Sequence, residues 1–332
     1  MAPAARCPIR PRCKRPLGSR EDNAQGALFP VAHLLMLFHA GTGLVQKVLV
    51  APLRTHDLKY AWQMHAPLAA GDVLVADRGF CSYAHVAQLF QAGLHGVLRI
   101  HQRMIVDFRK GRMHVPPSPP FPKLKGATGL PRSAWIKWLG HCDQLVEWYK
   151  PKRHPTWISA EAYDALPASL LVRELRYRIE QPGYRTREVL LVTTLLDPHA
   201  YPIAELAQLY FDRWQIEVNL RHLKQTLNLD VLRCKTLAGV HKELMMIALA
   251  YNLVRLVMLR AAQAQSVSVH RVSFIDALRW LCHVPEGQAL CSLLVLPRRS
   301  GRFEPRVRKR RPKQYPLMKQ PRATLRKALL QQ

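Results

Sequence analysis

A chain of 332 residues, 48% of them hydrophobic, is long enough for two or three globular domains. Lysine and arginine number 50 against 22 acidic residues, and a formal charge of +28 excludes an ordinary neutral metabolic enzyme. That excess selects a polyanionic partner, which charge alone leaves open between nucleic acid, ribosome and membrane surface.

Residues 1–26 hold four prolines, six Lys or Arg and no valine or aromatic residue. No helical or strand period runs through them. They read either as a basic, disordered arm on DNA phosphate or as a misassigned or frameshifted start. From Ala27 the pattern changes. Pro30–Ala40 is an apolar strand, Gly41-Thr42-Gly43 a tight turn, and Leu44–Ala51 a second strand, together a hairpin. Thr55–Pro67 reads as a helix with Thr55 near its N-cap. Asp72–Ala76 is a short buried strand that ends in Asp77-Arg78-Gly79. A strand ending in Asp puts a carboxylate at the sheet edge where open α/β sheets collect ligands. The same Asp77 also suits a turn or a helix N-cap. A helix at Tyr83–Ala92 and a strand at Gly96–Ile100 follow.

Residues 101–188 break this rhythm. They are rich in proline and carry Trp135, Trp138, Trp148 and Trp157 among Lys150, Lys152 and Arg153. Ser169–Ile179 and Arg187–Leu196 read as strands, so the segment is a mainly β insertion. Trp135 and Trp157 are candidates for stacking on an unpaired base, or else for filling the insertion's own core. Val240–Ala262 and Val272–Val284 read as helices. Leu244–Leu259 contains Asn252 and Arg255, and Pro30–Ala40 is short, so neither reads as a membrane span. The seven cysteines are scattered without zinc-ligand spacing, which reads as a reduced, cytosolic thiol set, and no signal peptide is visible. From Pro297 a basic tail runs to residue 332, and its Arg306–Lys313 stretch (with Arg308, Lys309, Arg310 and Arg311) suits either plain solvation or phosphate contact.

The stretch Tyr210–Lys224, YFDRWQIEVNLRHLK, organises the rest. On an unbroken helix over 203–229, at about 100° per residue, Tyr210, Arg213, Glu217, Arg221 and Lys224 share one narrow stripe. Leu209, Ile216, Leu220, Leu223 and Leu227 form an apolar stripe beside it. A carboxylate among cations suits a metal ion held against a phosphate. The same spacing also suits plain i,i+4 ion pairs on a solvated face.

The spacing Y-(2)-R-(3)-E-(6)-K of Tyr210, Arg213, Glu217 and Lys224 resembles the signature of the IS-four family of bacterial insertion-sequence transposases. These are DDE transposases with an RNase H-like catalytic core. Upstream, GDVLVADRGFCSY at 71–83 is similar to the motif around that family's second acidic residue, at Asp77. The resemblance spans roughly residues 28–315. It implies an α/β fold: an RNase H-like core at 27–100 and 189–296, the β insertion at 101–188 and a helical C-terminal part.

By the same resemblance Asp77 and Glu217 are catalytic and hold two Mg²⁺ ions, with Mn²⁺ able to substitute. Arg213 and Lys224 neutralise phosphate near the cut, and Tyr210 packs on or hydrogen-bonds the DNA backbone. Arg221 and the tail cations join the DNA contacts. The implied partners are double-stranded DNA, both transposon ends and target, with a homodimer on that DNA among the assemblies allowed and no membrane. The implied activity is metal-dependent phosphodiester cleavage followed by strand transfer. The family's first Asp lies on a strand before the hairpin. Upstream of Pro30 the only aspartate is Asp22, in a segment without an apolar strand, and Asp57 follows the hairpin. The expectation is a copy that lacks its first acid and is incomplete. Two other readings remain: a DNA-binding remnant without chemistry, and a metal-dependent nuclease on the same fold.

Overall fold

The computed structural model describes residues 4–6, 31–52, 55–115, 129–179, 188–234, 236–285 and 287–297. It is a mixed α/β chain folded as two compact units. One is formed by the described residues up to Thr55 together with those from Trp214 onward, the other by His56–Arg213. These units do not follow the boundaries expected from composition. The N-terminal hairpin and the C-terminal helices share a unit, and the insertion shares the other with the Asp77 strand.

In the first unit β2 (Val31–Phe38) and β3 (Val45–Pro52) form the expected antiparallel hairpin. The N-terminal segment, expected without structure, contributes β1 (Ala4–Arg6), paired antiparallel to β2. The 28-residue helix α6 (Leu237–Ala264) packs against the hairpin. Leu244, Ala248, Tyr251, Val254 and Met258 of α6 meet Leu34, Phe38 and Val45 in one core, which α7 (Phe274–His283) completes with Phe274 and Ala277.

The hairpin turn explains the polar residues inside α6. The Tyr251 hydroxyl donates to the Gly43 carbonyl at 3.0 Å, and Asn252 makes both of its amide bonds to the Val45 backbone at 2.8 and 2.9 Å. Arg255 Nε donates to the Thr42 carbonyl at 2.9 Å, and its Nη2 reaches the same oxygen. Gly43 is required twice over: its φ is +72°, and a Cβ there would stand 2.5 Å from Arg255 Nη2. By length and composition α6 would cross a membrane. Its polar residues instead grip the backbone of a neighbouring hairpin, as in the core helix of a globular fold.

The second unit is built on a six-stranded sheet of order β4-β5-β9-β8-β7-β6, from β4 (Val73–Ala76), β5 (His95–Arg99), β6 (Ala134–Gly140), β7 (Asp143–Tyr149), β8 (Ser169–Arg178) and β9 (Glu188–Thr193). Only β4 and β5 are parallel; the other neighbours are antiparallel. The insertion is therefore no separate sheet. Its strands extend the one that carries Asp77, because β9 pairs with β5 on one side and β8 on the other.

Alternation along the strands sends side chains to both faces. Leu98, Val192, Val172 and Val146 pack under α2 (Tyr83–Gln91), while Val97, Leu191, Val189 and Leu175 meet α4 (Ile203–Asp212). Thr55 does not cap the helix that follows it. That element is short, α1 (Leu58–Ala61) running into a 3₁₀ turn at Trp62–His65.

Two buried polar networks hold this sheet. Arg173 of β8 binds Asp143 of β7 through two contacts, at 2.7 and 2.5 Å, and its remaining nitrogen donates to the Tyr201 carbonyl at 2.7 Å. The segment that leads into α4 is thereby tied to the sheet. Beside it, buried Glu174 accepts from Trp148 Nε1 at 2.9 Å and Gln144 Nε2 at 3.0 Å, and burial raises its pKa.

Candidate functional site

Asp77 is presented by local chemistry. The apolar run Val73–Ala76 makes β4, and the chain turns as soon as the polar Asp77-Arg78-Gly79 begins. Asp77 Oδ1 accepts from the Gly79 N–H at 2.8 Å, and the Phe80 N–H donates to the Asp77 carbonyl at 3.1 Å. A Cβ at Gly79 would come within 3.1 Å of Asp77 Oδ1, so glycine lets the carboxylate fold over its own loop. Ser82 then caps α2, accepting from the His85 N–H.

A buried histidine anchors the loop from behind. His85 Nδ1 lies 2.8 Å from the Phe80 carbonyl, so that nitrogen carries the proton. Its Nε2 faces His65 Nε2 at 3.1 Å, and the two rings stack at 5.2 Å. Burial lowers both histidines to about 4, so both are neutral near pH 7.

The parallel register pairs Ala76 with Leu98, so Asp77 and Arg99 stand side by side at the carboxyl ends of β4 and β5. The two close in on Tyr210 of α4. Burial raises the Tyr210 pKa; Arg213 and Arg99 oppose that shift, and Asp77 reinforces it. The Arg213 guanidinium lies over the Tyr210 ring at 5.5 Å. Tyr177 feels the same pair of arginines and, chiefly through burial, is pushed up to about 12. This unit thus collects one carboxylate and two arginines at one end of its sheet. Arg99 is not among the residues singled out from the sequence; it sits in a strand of apolar residues with no motif around it. Its signal is its position, at the end of the strand after the Asp77 strand.

Tyr210 corrects an expectation. It is 4% exposed and packs with Val97, Leu191 and Leu206, so its ring belongs to the core and offers no surface to a DNA backbone.

The organising helix is corrected too. It is not continuous over 203–229. α4 ends at Asp212, where the Arg213 N–H bonds back to the Tyr210 carbonyl at 3.2 Å. A new helix, α5 (Trp214–Arg221), follows and then widens into a π-helical turn at His222–Thr226. The Leu227 N–H bonds to the His222 carbonyl at 3.0 Å, five residues back. The wide turn buries Leu223 completely and stacks His222 on Phe274 at 4.2 Å. The single stripe of five residues therefore falls on three helical pieces. Tyr210 and Arg213 belong to the sheet unit. Glu217, Arg221 and Lys224 belong to the other, with Glu217 and Arg221 exposed and Lys224 half-buried.

Both candidate metal ligands are carboxylates, hard oxygen donors of the kind Mg²⁺ and Mn²⁺ take. Among the described residues no group of three His, Cys, Asp or Glu is placed to hold an ion. Asp57 immediately precedes α1 and is not at a strand end.

The insertion's tryptophans divide by role. Trp148 is buried on Glu174, and Trp157 packs on the core around Tyr163. Trp135 is half-buried with its indole nitrogen wholly enclosed. Neither proposed stacking residue offers an open ring. Trp138, 40% exposed, does: Lys110 Nζ lies 4.0 Å from its ring, and Arg176 covers Phe108 at 5.3 Å. Trp138, Phe108, Arg109, His141 and Arg176 line a cavity of about 470 Å³. The tail cations Arg308, Lys309, Arg310 and Arg311 lie outside the described residues.

The chain matches a family model described as "Transposase DDE domain" over residues 11–253. It is 34% identical over 309 residues to "Transposase InsG for insertion sequence element IS4" of Escherichia coli (strain K12). That alignment covers 87% of this chain and 62% of the relative, so the chain spans under two thirds of the length of the curated protein it matches. Among solved structures it is similar to a piggyBac transposase in a synaptic complex with hairpin DNA, at 12% identity and a TM-score of 0.41, covering 84% of this chain and 50% of that one.

Proposed function

The chain belongs to the transposase DDE-domain family, and from that premise we propose that it cuts and joins DNA at the ends of an insertion sequence, using a divalent metal on an RNase H-like core. The observation that carries this reading is Asp77 beside Arg99 at the carboxyl ends of two parallel strands, with Arg213 over the adjoining tyrosine. An anionic, metal-ligating group and phosphate-binding groups meet there. Asp77 and Glu217 are the ligands, and bound Mg²⁺ or Mn²⁺ supplies an acidified water and charge neutralisation at the scissile phosphate. The chain's own side chains do the rest. The Gly79 N–H fixes the Asp77 carboxylate. Arg99 and Arg213 bind the phosphate on the sheet side, and Arg221 and Lys224 bind it from their own helix. Double-stranded DNA is the partner, drawn by the +28 charge.

The test uses DNA carrying the element's ends, with Mg²⁺ or Mn²⁺. Asp77→Asn and Glu217→Gln each lower cleavage by at least about 1,000-fold, while DNA affinity stays within about threefold. Mn²⁺ binding, read by electron spin resonance, weakens in both. Cleavage that survives Asp77→Asn overturns the assignment. A second reading is favoured by the lack of a three-ligand group among the described residues: a DNA-binding remnant without chemistry. It requires tight, salt-dependent DNA binding and no metal-dependent cleavage by the unsubstituted chain. A nuclease on the same fold would cut yet leave no strand-transfer product.

A further inference from the structure

Helix α6 has two apolar faces, and only one is used. With Lys242 at zero and about 100° per residue, the side chains that meet the hairpin and α7 cluster between roughly 60° and 240°. Between roughly 300° and 40° lie Met245, Met246, Leu249, Leu253 and Leu256. All five are 44–63% exposed. Isolated exposed leucines are ordinary, but five on one stripe over three turns form a patch that marks an interaction site.

Their spacing says what shape covers them. Lys242, Met246, Leu249, Leu253, Leu256 and Arg260 follow one another by four, three, four, three and four residues. This is the a/d repeat of a coiled-coil seam, to which the fitting partner is another helix. The order also reads the same in both directions about Tyr251: Leu249 mirrors Leu253, Met246 mirrors Leu256, and Lys242 mirrors Arg260. A helix with that symmetry fits an antiparallel copy of itself, apolar on apolar, with opposed helix dipoles. At these exposures the five side chains offer roughly 400–500 Å² per copy, or about 1,000 Å² for a pair, the threshold for a specific interface.

We infer that α6 is a self-association helix: two copies of this chain pair antiparallel through Met245, Met246, Leu249, Leu253 and Leu256, centred on Tyr251. The pairing needs no DNA and rests on neither catalytic carboxylate. Because Lys242 of one copy faces Arg260 of the other, repulsion at the two ends opposes the contact. Salt therefore strengthens this association, whereas it weakens the protein's hold on DNA.

Sedimentation velocity of the full chain without DNA, over roughly 1–100 μM, tests it. The unsubstituted protein forms dimers, more so at about 0.5 M than at about 0.1 M salt. Leu249→Glu and Leu253→Glu each weaken dimerisation by at least about 100-fold, with circular dichroism and thermal midpoint unchanged because the face is exposed. The double variant Leu249→Glu/Leu253→Lys separates the two orientations. In the antiparallel pair each Glu meets a Lys and the dimer is kept; in a parallel pair like charges meet and it is lost.

Three outcomes overturn the inference: a monomer throughout the concentration range, dimerisation indifferent to Leu249→Glu, or a monomeric double variant. The first, joined to flotation with neutral phosphatidylcholine vesicles, would assign the face to a membrane. Without flotation it would assign the face to another segment of the same chain.

Discussion

Each unit of this molecule buries an arginine, and the two are solved differently. Arg173 lies in the middle of the six-stranded sheet and spends its charge on a carboxylate, Asp143, before reaching a carbonyl. Arg255 lies in the middle of α6 and is held by the Thr42 carbonyl, and burial lowers its pKa. The sheet contains its cation by an ion pair, the helix by a backbone turn shaped around it. In a chain of charge +28, then, some cations exist to close the fold rather than to meet DNA. Composition cannot separate the two kinds, whereas burial can.

The contrast is sharpest when each arginine is removed. Arg173→Ala leaves Asp143 buried and unpaired, and should cost about 3–5 kcal/mol in urea unfolding. Replacing both partners, Arg173→Met with Asp143→Leu, should recover most of that loss. If the double variant is no better than the single, the carbonyl bonds, not the charge pair, dominate.

A pH titration probes the same unit at the Asp77 loop. His65 and His85 are neutral in the fold, with folded pKa values near 4 against an unfolded value of 6.5. A depressed folded value means stability that is present above pH 6.5 and lost as pH falls towards 4. For His85 this is worth roughly 2–3 kcal/mol over that interval. His85→Gln should flatten the acid limb, and an unchanged limb would place the acid sensitivity elsewhere.

Arg255→Met removes donors without stranding a carboxylate, so its cost should be nearer about 1–3 kcal/mol. Gly43→Ala should cost a similar amount, through its positive φ and its clash with Arg255 Nη2. Combining the two should cost less than their sum, since a methionine side chain in place of Arg255 lacks the clashing atom; strict additivity would show that φ alone sets the glycine. The smallest effect is expected at Trp138, whose ring is partly in solvent. Trp138→Ala should shift stability by less than about 0.5 kcal/mol, so any larger loss of single-stranded DNA binding would report contact.

Much of this was legible in the sequence where the signal is local. The hairpin at 31–52, the strand ending in Asp77, helix α2 and the long helix α6 all followed from apolar runs, turn residues and period. What escaped depends on partners distant in the chain. The break at Arg213 and the wide turn after Arg221 are invisible to a uniform 100° wheel, because the reason for them is the fit of Leu223 and His222 against α6 and α7. Tyr210 sits in a motif of charged neighbours, yet it faces the sheet. Arg99 carries no motif at all and becomes visible only through the parallel register of β4 with β5. The insertion read correctly as β-rich, but no local signal could say that its strands continue an existing sheet.

The wide turn at His222–Thr226 bears on how the signature should be counted. A π turn holds one residue more than the α turn it replaces. The six residues between Glu217 and Lys224 are therefore not a measure of distance along a uniform screw; the count includes a supernumerary member. Deleting any one residue between 222 and 226 would restore ordinary winding and rotate everything after it by about 100°. Lys224, or whatever took its place, would point elsewhere while the apolar composition stayed nearly the same. Point substitutions in this stretch test chemistry, whereas a single-residue deletion tests phase.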